Sequence, residues 1–192
     1  VSPILESIGS VKGFGWGALA AGGSFESIST VTVGAGGAST VTFSSIPSTY
    51  THLQIRILSR DSRVSTNSDS TMRFNADTAA NYSEHNISGD GGTVFVGAGT
   101  SVTNMNIGNQ PGLNTTASVF GSRVIDILDY ANTNKYKTMR CLSGYDANGS
   151  GWVMLSSGSW RNTAAITSIT FTPLVAPYVQ YSSFNLYGIK GA

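Results

Sequence analysis

From Ser24 onward, apolar residues recur at every second position, and the runs are short and separated by turn-forming residues. Leu53, Ile55 and Ile57 alternate with Gln54, Arg56 and Leu58, the period of a strand with one face buried. Phe25, Ile28, Val31 and Val33 sit among Ser and Thr, and Val41, Phe43 and Ile46 follow after Gly34-Ala35-Gly36-Gly37. This pair reads as a hairpin about a glycine turn. Pro47-Ser48 marks a loop. Met72, Phe74, Tyr82 and Ile87 mark weaker strands around an Asn/Asp/Ala loop. Residues 88–116 are rich in Gly, Asn, Thr and Ser and read as long loops with short strands. Their apolar anchors are few: Phe95, Val102, Met105 and Ile107. The strongest run is Ala117 to Tyr130, where Val124, Ile125, Ile127 and Leu128 fit a strand better than a short helix. β-Branched residues dominate it and no N-cap pattern precedes it. Asn132-Thr133-Asn134 turns into Tyr136–Tyr145, and Asp146–Gly151 turns into Trp152–Trp160. A run from Ile166 to Thr172 ends at Pro173, and Phe184, Leu186, Tyr187 and Ile189 close the pattern.

Eight to eleven strands at short spacing, with almost no helix, predict an all-β chain. The expected architecture is an antiparallel β-sandwich, with a jelly roll the leading topology. No tandem repeat at fixed period points to a propeller or solenoid.

Residues 1–23 break the pattern. They carry glycine at 9, 13, 15, 17, 22 and 23, too many for a stable helix. The order of charge, with Glu6 before Lys12, does not match a secretory leader. Ile4, Leu5, Ile8, Val11, Phe14, Trp16 and Leu19 are too many large apolar groups for a solvated tail. The expectation is an extended N-terminal arm, 1–23, that docks in a groove on a neighbouring subunit and leads into a sandwich domain, 24–192. The bland alternative is a floppy terminus.

Composition narrows the function classes. Of 192 residues, 48 are Ser or Thr, only 11% are charged, and the net charge is +1. Nucleic-acid backbone binding needs clustered basic excess, so no nucleic-acid partner is expected. No run approaches the roughly 18 apolar residues of a membrane-spanning helix, so no membrane partner is expected. The single Cys141 excludes an internal disulfide and a cysteine-based zinc site. It reads as a small buried hydrophobe.

Candidate chemistry is thin. His52 and His85 are the only imidazoles, and Ser83-Glu84-His85 has no GxSxG elbow beside it. Asp126 and Asp129 are spaced for opposite strand faces, which disfavours a glycosidase pair. They read instead as strand-end caps or ion-pair partners of Arg123 or Lys135. Asp61, Asp69, Asp77 and Asp90 lie in loops with Asn67, Asn75 and Asn81. Asp146-Ala147-Asn148-Gly149 faintly resembles a calcium loop but lacks its later acidic ligand. Trp152, Trp160, Tyr130, Tyr136, Tyr145, Tyr178 and Tyr181 form either a sugar-stacking platform or, the favoured reading, core and interface. No catalytic residue, cofactor or metal is therefore expected, and the chain is not expected to be an enzyme.

Several stretches carry a resemblance: SPILESIGS at the start, Phe25 to Arg56, MRFNADTAANYSEH from Met72, VIDILDYANTNKYKT from Val124, WRNTAAITSITFTP from Trp160, and FNLYGIK from Phe184. With these in order over most of its length, the chain resembles a family of small virion proteins of marine tailed phages, such as those of cyanobacteria. Glu6 and Ser7 stand where the family start carries Gly and Ile. The resemblance implies a virion structural, capsid-decorating or tail-associated role and brings no catalytic residues. The leading expectation is a capsid decoration (cement) protein on the outer surface of the capsid. It would bind the major capsid protein through its arm, as a homotrimer. The alternative is a tail- or head-fibre module that adheres to host surface glycan through the loops at 59–71 and 88–116.

Overall fold

A computed structural model describes residues 24–191. The expected arm residues Ile4, Leu5, Ile8, Val11, Phe14, Trp16 and Leu19 lie outside the described residues.

Twelve strands form the described chain: β1 (Phe25–Thr32), β2 (Val41–Phe43), β3 (His52–Ser59), β4 (Asn67–Phe74), β5 (Tyr82–Gly89), β6 (Val94–Val102), β7 (Met105–Pro111), β8 (Gly121–Leu128), β9 (Lys137–Asp146), β10 (Gly151–Trp160), β11 (Ile169–Pro173) and β12 (Ser183–Ile189). They make two antiparallel sheets. The large one has the order β1-β12-β3-β8-β9-β10-β5-β6 and the small one β2-β11-β4-β7. The strands β1-β12-β3-β8 facing β2-β11-β4-β7 have the strand order of a jelly roll. Two inserted hairpins, β5–β6 and β9–β10, join the large sheet beside β8 and double its width.

The structure corrects the sequence reading in three places. Among the described residues there are twelve strands rather than eight to eleven. Residues 25–46 are not a hairpin: β1 pairs with β12 and β2 with β11, in different sheets. The glycine turn between them is a crossover. Gly37 has φ +70°, and a Cβ there would sit 2.9 Å from the Tyr178 carbonyl oxygen, so glycine is required. Finally, residues 88–116 are mostly strand, β6 and β7, rather than long loops. Their Gly, Asn and Thr content hid the period: β6 is open on both faces, whereas β7 is largely buried but carries small and polar residues, Gly108, Asn109 and Gln110, at enclosed positions.

The core lies between the sheets. Leu53, Ile55 and Ile57 of β3 face it with Ile125 and Ile127 of β8, and Met72, Phe74, Ile169 and Phe171 approach from the small sheet. Aromatic contacts close it at both ends. Tyr178 meets Phe184 at 4.9 Å and Phe74 meets Trp160 at 5.7 Å, both edge-on.

Three buried cations hold the ends of this sandwich. Arg123 is fully enclosed. It donates to the carbonyls of Ile107 and Gly108, both at 3.0 Å, to Ser59 Oγ at 2.6 Å and to Gln110 Oε1 at 3.3 Å. Burial pushes its pKa down from the ordinary value. Gln110 in turn donates to the buried Asp61 carboxylate at 3.0 Å. Arg60 donates to the carbonyls of Leu113, Thr115, Thr116 and Val119 and so ties down the β7–β8 loop. Lys137 donates to the carbonyls of Asn132, Lys135 and Thr163, joining the β8–β9 loop to the segment after β10. Each cation satisfies backbone oxygens that have no strand partner, which is the alternative to leaving them orphaned.

Candidate functional site

The outer face of the large sheet is the surface that stands out. Register places Val124 of β8 opposite Leu142 of β9, Leu142 opposite Leu155 of β10, Leu155 opposite Ile87 of β5, and Ile87 opposite Val96 of β6. All five point away from the core, with Leu142 56% and Val96 79% exposed. Val153 and Val94 extend the row on the same face, bridged by Gly89. These seven large apolar side chains are each 39–79% exposed and adjoin one another, a contiguous apolar patch of the kind that marks a contact surface. A depression of about 540 Å³ lies in it, with Ile87, Val96, Ala98 and Leu155 among its lining and His85 and Arg140 at its polar margin.

A polar row runs alongside. Asp126 accepts from Gln54 Nε2 and from Arg140 Nη2, each at 3.0 Å, and Arg56 Nε donates to Gln54 Oε1 at 3.0 Å. Arg56 also lies over the stacked rings of Phe25 and Tyr187, 5.3 and 5.4 Å from their centroids. The charges beside the apolar row are thus largely engaged within the sheet, so a partner meets a nearly neutral surface.

The candidates taken from sequence are scattered. His85 is exposed on this outer face. Glu84 points the other way and accepts from the Asn106 backbone N–H. Asp126 pairs with Arg140 rather than Arg123, which is buried. Asp129 does pair with Lys135, and this holds its carboxyl below the usual range. His52 stands 3.6 Å from Asp129. The loop carboxylates close their own turns. Asp90 accepts from the backbone N–H of Gly92 and Thr93, Asp146 from that of Asn148, and Asp77 from that of Ala79. Among the described residues no group of three or more His, Cys, Asp or Glu is gathered to hold a metal ion.

The aromatics do not form one platform. Trp160, Tyr130 and Tyr178 are core. Trp152 stacks on Phe95 at 5.1 Å. The exposed Tyr136 and Tyr181 belong to loops at opposite ends of the large sheet, beyond Leu128 and before Ser183. A cleft of about 530 Å³ between the β5–β6 and β9–β10 turns does gather Asp90, Tyr145, Asp146 and Trp152 with several glycines.

Sequence reasoning missed the outer apolar row. The signal was present as doubled parity. In VIDIL, CLSGY, WVML and VFV, apolar residues fall on both odd and even positions, so neither face of those strands is wholly polar. Comparison with family models, with curated proteins and with solved structures finds no match to this chain.

Proposed function

We propose that this chain is a non-enzymatic structural protein of a tailed-phage virion, a capsid decoration protein bound to the outer surface of the shell. The observation that supports it is the outer apolar row from Val124 to Val96. A contiguous patch of that kind beside a neutralised polar row suits permanent contact with protein. The arm residues Ile4, Leu5, Ile8, Val11, Phe14, Trp16 and Leu19 supply the docking to the major capsid protein. A decoration protein that binds only the expanded, assembled shell stabilises that state by mass action. The resemblance noted above points the same way.

Quantitative mass spectrometry of the virion tests this. Copy numbers near parity with the major capsid protein are expected, and a few to a few tens of copies would overturn it. Removal of residues 1–22 should abolish shell binding while the circular dichroism of the sandwich is kept.

The cleft holding Asp90, Tyr145, Asp146 and Trp152 favours a second reading, a fibre module that grips host glycan. A low copy number together with signal on a glycan array would select it.

A further inference from the structure

Sheets have edges, and three of the four here carry features that discourage another strand. β2 is only three residues long. β7 is irregular against β4 and ends in Pro111. β1 is bulged between Ser27 and Ser29 and carries Glu26, paired with Lys190 at 2.7 Å. Short length, bulges, charge and proline are the ordinary means by which an edge is kept from pairing.

β6 has none of them over most of its length. It spans nine residues, VFVGAGTSV, without a charge or a proline. Its pairing with β5 is regular from Val94 to Thr100, and the one irregularity falls beyond that. Among the described residues its other side is the end of the sheet. Val94 is 70% exposed, and no residue of the strand is buried. The outer apolar row also ends here, at Val96.

We propose that β6 is a self-association edge: two copies of this chain pair their β6 strands antiparallel about a two-fold axis, joining two eight-stranded sheets into one. Three observations select a second copy as the occupant. An uncharged strand can face itself without setting like charges opposite one another. It also offers nothing for a partner of complementary charge to read. Gly97, Ala98 and Gly99 lie at its middle, so side chains of two facing copies do not crowd where the axis passes. Pairing covers Val94 and Val96 and extends the apolar row across the junction, while the row of unpaired backbone N–H and C=O groups gains partners. The contact needs neither the arm nor a capsid, so it stands or falls separately from the proposed function. It is two-fold, unlike the three-fold association expected from sequence.

The test is sedimentation of the full chain, unmodified and with Val96→Lys and Ala98→Lys together, at concentrations up to about 100 μM. Both positions are exposed, and circular dichroism checks that the variant is folded. A dimer that weakens at least about tenfold in the variant is expected. The amide hydrogens of Val94–Thr100 that face away from β5 should be protected from exchange in the dimer and exposed in the variant, while those bonded to β5 stay protected in both. A monomer at every concentration, a trimer, or a dimer indifferent to the two lysines would overturn the proposal. So would association that is lost on deleting residues 1–22 with β6 intact, because the arm would then be the contact.

Discussion

Replacing Arg123 with methionine tests how the interior is held together. Methionine fits the volume and keeps the apolar stem, so the change removes chiefly the guanidinium. Its loss does not fall equally on the four acceptors. Ser59 Oγ and Gln110 Oε1 retain each other at 2.6 Å, and the Ile107 carbonyl retains the Cys141 thiol at 3.2 Å. The Gly108 carbonyl loses its only side-chain donor among the described residues. An orphaned buried carbonyl costs about 1–3 kcal/mol. Asp61, fully buried two hydrogen bonds away, also loses the cation that faces it through Gln110. Breaking a buried charge arrangement from one side costs about 3–5 kcal/mol, offset in part because the guanidinium no longer has to be desolvated. The expected net is a destabilisation of about 3–4 kcal/mol. With a urea slope of about 2 kcal/mol/M, the unfolding midpoint falls by about 1.5–2 M. Arg123→Lys keeps the charge but not the planar fork and should fall between the two. An unchanged or raised midpoint for Arg123→Met would refute the reasoning. It would mean that the apolar replacement outweighs the network, as it does in some buried ion clusters.

Other expectations follow from single contacts. The Asp77 carboxyl is held below its usual range by hydrogen bonds from the Asn81 amide and the Trp160 indole, the latter at 2.7 Å. A depressed carboxyl stabilises above its unfolded pKa, near 4, and that stabilisation disappears as pH falls through the folded value. Asp77→Asn should therefore flatten the acid limb of the melting temperature against pH, and an unaltered limb would count against the contact. Burial pushes the Cys141 thiol up to about 12, so at pH 8 it should react with a disulfide reagent only as fast as the protein opens. Rapid labelling of native protein would contradict this. A Cβ at Gly188 would sit 2.3–2.4 Å from the Tyr50 ring, so Gly188→Ala must expel that ring and break its bond to Glu26. A loss of about 1–3 kcal/mol, or several degrees in a thermal melt, is expected, and an unshifted melt would argue against the stacking.

Much of the sandwich could be read directly. The alternation in β3, the turns Asn132–Asn134 and Asp146–Gly151, and the stop at Pro173 are local features, and local sterics place them. Strand and turn positions are therefore legible wherever one face is buried and the other is wet. β6 was hidden because neither of its faces is buried, so no alternation is imposed on it.

The sequence by itself determined that this chain is β-structured, antiparallel and two-layered, because a period of two and short turns leave few other ways to bury an apolar face. Which strands are neighbours was decided only in three dimensions. β1 and β2 are adjacent in the chain, yet each pairs with a strand more than a hundred residues away. No local preference encodes such a partner, since pairing is chosen by how two sheets close over one core. The same holds for the surfaces that matter most here. Val124, Leu142, Leu155, Ile87 and Val96 come from five strands and become one row only through register. Arg123 shares the inward parity of Ile125 and Ile127, which marks it for the interior, but its four acceptors are assembled by the fold. Parity is written along the chain, whereas adjacency is a property of the closed sheet.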